Sequence, residues 1–122
     1  MLIVVDAANV VGSVPDGWWR DRIGANERLR DALAAAGPAA ALPGAADDDE
    51  LVLVVEGAAR RVAGVPGVRV VSATGSGDDA IVELVRTGGT GHEIVVVTAD
   101  RGLRDRVTAL GARVVGPGTL RT

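Results

Sequence analysis

The chain has no cysteine, so it makes no disulfide and offers no thiolate ligand to zinc. It has no lysine either: all 13 basic residues are arginine. That excludes Schiff-base chemistry, the lysine of a phosphate-binding P-loop and the lysine of a response-regulator pocket. Phenylalanine and tyrosine are absent, and Trp18 and Trp19 are the whole aromatic content. The single histidine, His92, follows Gly91 in a turn and reads as a surface residue. Without cysteine or a Ser–His arrangement, nothing points to a protein nucleophile. No apolar run is long enough to span a bilayer, and no basic segment precedes the first strand. The expectation is a soluble cytoplasmic protein away from membranes.

What is present is a 122-residue chain, the length of one domain over 1–122. A chain of this length buries roughly two thirds of its unfolded surface, enough for a core. A net charge of -3 argues against coating nucleic acid by charge alone. It leaves room for a nuclease, whose metal site must be acidic, and arginine suits forked phosphate contacts.

Leu2-Ile3-Val4-Val5 is an unbroken apolar run that ends abruptly in Asp6-Ala7-Ala8-Asn9. Such a run reads as a strand buried on both faces, the mark of a parallel sheet. Residues 10–17 read as a loop rich in turn formers. A helix is expected from Trp18 or Asp21 to about Ala36, ended by Gly37-Pro38, with Trp19, Ile23, Asn26, Leu29 and Leu33 on one face. Residues 39–50 read as a surface connection carrying a solvated acidic run, Asp47-Asp48-Asp49-Glu50. Further strands are expected at 51–55, 68–71, 94–97 and 113–115. Helices are expected at 58–63, from Asp78 to a closure at Gly88-Gly89-Thr90-Gly91, and from Arg101 to Leu110 with Gly111 as its cap. Gly116-Pro117-Gly118 is expected to end the ordered chain. Strands alternating with helices make an α/β three-layer sandwich around a parallel sheet.

Parallel strands all point one way, and α/β sheets keep their chemistry beyond the carboxyl ends. The first strand delivers Asp6 there, the second Glu56 and the fourth Asp100. The glycine-rich loop after the third can swing Asp78 and Asp79 over the same edge. Each acid also has an ordinary reading. Asp78, Asp79 and Asp100 sit where helix caps sit, Asp6 could hold a turn, and Glu56 could face solvent. Together they repel, and a divalent cation turns that penalty into binding energy. All-oxygen donors select Mg2+ or Mn2+. Gly75-Ser76-Gly77 is a possible phosphate nest, but without the third glycine of a dinucleotide fingerprint. Trp18-Trp19 is the one stacking platform for an unpaired base, although Trp19 fits the core stripe better. Arg20, Arg22 and Arg101, and Arg60-Arg61, are candidates for phosphate contacts.

Asp6-x-x-Asn9, Gly77-Asp78-Asp79-Ala80-Ile81-Val82-Glu83 and Val96-Val97-Thr98-Ala99-Asp100, in this order, resemble the NYN domain of the PIN-like nuclease superfamily. The likeness is greatest to its YacP-like branch and spans Leu2 to about Gly116. It implies a sheet ordered 3-2-1-4-5 and a metal-dependent endoribonuclease. Asp6, Asp78 or Asp79, and Asp100 would be metal ligands, with Glu56 standing where relatives have an aspartate. Asn9 would orient a water or the phosphate, and Thr98 would position Asp100 or bind a water. RNA is the implied partner, met alone, on the ribosome or in another RNA-bound complex. The chain departs from the branch at Ala8, where members often have an aromatic residue. It also has Gly75-Ser76-Gly77 where they carry an acid before the Asp-Asp pair. Those departures open a second reading: a PIN-like module that binds RNA or a protein partner without cutting. A small phosphatase or nucleotide hydrolase at the same edge is a third.

Overall fold

The first apolar run forms β1 (Leu2–Asp6), and the register of the whole sheet follows from it. The computed structural model describes residues 1–88 and 92–121. The remaining strands are β2 (Glu50–Val55), β3 (Val68–Ser72), β4 (Ile94–Val97) and β5 (Arg113–Val115). All pair in parallel in the order β3-β2-β1-β4-β5. β1 is central, with Val4 opposite Val52 on one side and Val96 on the other.

Side chains alternate across a strand, so each strand feeds two cores. Ile3, Val5, Leu51, Leu53 and Val97 face one side and pack with Leu33 and Val10. Val4, Val52, Val54 and Val96 face the other and meet Ile81, Val85, Leu103 and Val107. The first layer is α1 (Ala7–Gly12) and α2 (Arg22–Ala41); the second is α3 (Gly77–Gly88) and α4 (Arg101–Thr108). This is the expected three-layer α/β sandwich. Among the described residues no helix is long and apolar enough to cross a membrane.

Several local expectations are corrected. The stretch read as a loop after Asn9 is helical: α1 leaves β1 without a turn. The long helix starts at Arg22, after a separate 3-10 turn at Trp18–Arg20. That break shifts the helical phase, so Trp19 lies outside the core stripe and is 54% exposed. Gly37 does interrupt the helix, at φ 75° and ψ 165°, but Pro38 opens another turn that runs to Ala41. In the acidic run, Asp49 is half-buried and accepts from the Met1 nitrogen at 2.8 Å and the Ala46 amide at 2.7 Å. The expected helix at 58–63 is a 3-10 segment, Gly57–Arg61. α4 ends at Thr108, and Gly111 follows at φ 92°, a conformation only glycine adopts without strain. Order continues past Gly118: Leu120 packs on the core and the Arg121 amide donates to Ala41 O at 2.9 Å. Of the expected closure of α3, Gly88 is its last residue, and Gly89, Thr90 and Gly91 lie outside the described residues.

Candidate functional site

The sheet order places the ends of β1 and β4 side by side, and their side chains tie them together. Asp6 is 5% exposed and Thr98 2%. The Thr98 hydroxyl donates to Asp6 Oδ2 at 2.9 Å and accepts the Asp100 amide at 3.1 Å. Asn9 lies on α1, one turn after Asp6, and its Oδ1 accepts the Ala99 amide at 2.8 Å. That leaves the Asn9 amide nitrogen with its two donors.

Asp100 begins α4 and its Oδ1 accepts the Leu103 amide at 2.9 Å, a cap as well as an edge carboxylate. Glu56 follows β2, and its Oε2 accepts the Gly77 amide at 2.6 Å at the start of α3. The glycine-rich loop is therefore no open phosphate nest, because the chain's own carboxylate holds one of its amides. A side chain at residue 77 would crowd that contact: a Cβ there lies 3.2 Å from Glu56 Cδ. Ser76 caps the same helix, its Oγ accepting the Asp79 amide at 3.1 Å.

The adjacent acids diverge. Asp79 pairs with Arg106 of α4 at 3.0 Å and is largely exposed. Asp78 is half-buried and belongs electrostatically with the other edge acids. Burial pushes its carboxyl above the ordinary value, and the charges of Asp100 and Glu56 push it further, against the pull of Arg106. Asp6 is likewise raised, first by burial and then by Asp78 and Glu56, while hydrogen bonds from the Thr98 hydroxyl and the backbone N–H of Asn9 oppose the rise. Asp6 thus feels the charges of Asp78 and Glu56, and Asp78 those of Asp100 and Glu56, although the four acids come from four separate segments.

Among the described residues, no three Asp, Glu or His side chains stand close enough to hold a metal ion as they are. Three of these acids are already engaged: Glu56, Asp79 and Asp100 each give an oxygen to an amide or a guanidinium. The donor set is all oxygen and partly engaged. It fits a hydrated Mg2+ or Mn2+, which takes one or two carboxylates and completes its shell with water and substrate phosphate.

Beside this edge lies a cleft of about 360 Å³ between α1, α2 and the start of the 3-10 segment. Trp18, Arg22, Asn26 and Glu56 line it. The Arg22 guanidinium stands 5.4 Å from the Trp18 ring centre, a cation–π contact. Trp18 is half-buried, so of the two tryptophans it is the one at the site. Asn26 is 5% exposed. Its amide donates to Arg22 O at 2.8 Å, but its Oδ1, equally buried, has no hydrogen-bond partner. An unmatched buried acceptor costs about 1–3 kcal/mol. Sequence reasoning placed Asn26 in an apolar stripe and assigned it no chemistry; a polar residue there was the signal. Arg20 points elsewhere, 6.0 Å from the Trp19 ring centre, and Arg101 is exposed at the first position of α4. A second groove, lined by Arg60 and Arg61, shares Gly57 with the cleft.

No protein-family model matches the chain, and no curated protein matches it. A solved structure does: Rae1 (YacP) from Bacillus subtilis, a W164L mutant, with a TM-score of 0.70 at 17% identity. The match covers 97% of this chain and 70% of that one. The fold is therefore YacP-like.

Proposed function

We propose that the carboxyl edge is the active site of a divalent-cation-dependent endoribonuclease of the NYN/PIN-like type. One observation carries the reading: four segments deliver Asp6, Glu56, Asp78 and Asp100 to one edge, where Asp6 and Asp78 are raised by burial and by their acidic neighbours. Folds do not gather like charges for stability. One or two of Asp6, Asp78 and Asp100 would ligate the cation directly, and the other acids of the edge, Glu56 among them, would act through its waters. Asp79, turned to Arg106, would reach it only after releasing that partner. A bound Mg2+ or Mn2+ supplies activation of water near neutral pH and compensation of charge on the phosphodiester.

The chain's own groups do the rest. Thr98 holds Asp6 and the start of α4 in register. Asn9 is fixed through its Oδ1, which aims its amide donors at a water or a phosphate oxygen. Arg22 and Arg101 offer guanidinium donors to the flanking phosphates. Water forms a bond to phosphorus and gives its proton to solvent, the bond from phosphorus to the ribose oxygen breaks, and that oxygen takes a proton from solvent. RNA is the substrate class, free or presented by a ribosome or another RNA-bound complex. The YacP-like fold supports this reading alongside the three motifs.

A second reading rests on its own observation. Among the described residues no three acids stand close enough to hold a metal ion, and Gly75-Ser76-Gly77 supplies none before Asp78, which suits a module that binds RNA or a protein without cutting.

The test is a pair of measurements on wild type and Asp6→Asn. We expect Mn2+ to raise the melting temperature of wild type and not of the variant, because a ligand of the folded state alone stabilises it. We expect wild type to cut generic single-stranded RNA and the variant to lose at least a hundredfold in rate. Manganese stabilisation without cleavage by either protein selects the binding module. Cleavage unchanged in Asp6→Asn removes the edge from the mechanism.

A further inference from the structure

We propose that the cleft beside the acidic edge receives one unpaired nucleobase carrying an exocyclic amino group, stacked on Trp18. The proposal rests on the nuclease reading and names the part of the RNA that the site grips.

The cleft is the right size for a small ligand, about 360 Å³ in a range that starts near 300 Å³. Its one aromatic wall is Trp18, and stacking on an indole accepts any base. Selection comes from the polar groups. Asn26 Oδ1 is buried and unmatched. The amide cannot turn over to relieve it, because its nitrogen donates to Arg22 O and the reversed group would set oxygen against oxygen. Glu56 gives Oε2 to the Gly77 amide, and among the described residues its other oxygen accepts nothing. The cleft thus has one acceptor in its wall, the second Glu56 oxygen, and one in a lining residue, Asn26 Oδ1, which is closed to water in the empty cleft and is reached by a seated base only when Trp18 or Arg22 shifts. Amino groups of cytosine, adenine and guanine donate to such oxygens. Uracil presents carbonyl oxygens on both sides of a single N–H and meets them with repulsion. The location gives the cleft its purpose: Glu56 belongs both to its wall and to the acidic edge, so a base held here sets a neighbouring phosphodiester at that edge. The groove of Arg60 and Arg61, continuous through Gly57, would take the strand onward.

The experiment uses Trp19→Phe, which leaves Trp18 as the sole indole, and free nucleosides in EDTA, so that neither phosphate nor metal contributes. We expect cytidine and adenosine to quench Trp18 fluorescence saturably, with uridine at least tenfold weaker. Asn26→Leu should cut that preference to within threefold. Glu56→Gln, which offers a donor in place of an acceptor, should move preference toward uridine and keeps the test open if the buried change prevents folding. Equal quenching by cytidine and uridine overturns the proposal. So does a preference unchanged in both variants, which leaves Asn26 Oδ1 to an ordered water. Cleavage plays no part in this readout. Lost selectivity with RNA cutting intact sinks the base site alone, whereas retained selectivity with no cutting supports the base site and sinks the nuclease.

Discussion

Asp100 serves α4 and the acidic edge with the same carboxylate, and two substitutions separate the duties. Asp100→Asn keeps an acceptor for the Leu103 amide and removes a charge that opposes Asp78. Asp100→Ala removes both. We expect the asparagine variant, without metal, to melt at or slightly above the wild-type temperature, and the alanine variant to lose about 1 kcal/mol. On a chain of this size that loss lowers the melting point by about 4 °C in a calorimetric scan. A fall in both variants would make charge at residue 100 structural. Individual residues were unevenly legible. Asp6, Glu56 and Asp100 could be expected at the edge because each stands within three residues of the end of an apolar run, and Asp78 because a glycine-rich loop leads to it. The partition within Asp78-Asp79 could not, because it depends on Arg106, one helix away. Trp19 falls outside the core stripe because neighbouring residues on a helix point about 100° apart and the break before Arg22 changes the phase.

Among the elements, the strands were the most legible, since a parallel strand buried on both faces needs an apolar residue at every position. Leu51–Val55 and Ile94–Val97 meet that demand and were placed to within a residue. The short α1 was hidden. Its Ala7-Ala8-Asn9-Val10-Val11-Gly12 mixes β-branched residues and glycine, which disfavour helix, and no turn separates it from β1. Tertiary burial of Ala7, Val10 and Val11 overrides that propensity. α2 shows the opposite balance, a long helix whose attachment depends on few side chains. Leu33 is its largest fully buried residue, set against β1 and β2 residues. Leu33→Ala should cost about 2–5 kcal/mol in urea unfolding. A loss under 1 kcal/mol would mean that α2 is held elsewhere.

At the scale of the molecule, the raised carboxyls of Asp6 and Asp78 set how stability changes with acidity. The folded state binds these protons more tightly than the unfolded chain, so metal-free stability falls as pH rises from the ordinary carboxylate value through the raised ones. A divalent cation bound at the proposed site would reverse the slope, because it needs the deprotonated groups. We expect melting curves with and without Mn2+ to converge on acidification and to separate toward neutral pH. In Asp6→Asn the metal-free slope over that window should shrink. A metal-free stability that climbs with pH across the window would contradict the burial of these charges. The tie between Asp6 and Thr98 has one more implication, for the order in which the protein comes into being. It spans 92 residues of chain, and β1 lacks a neighbour on one flank until β4 has been made. During its own translation the polypeptide therefore carries a half-built edge until Thr98 has been synthesised. Premature release before that point yields a fragment whose first strand has one bare flank.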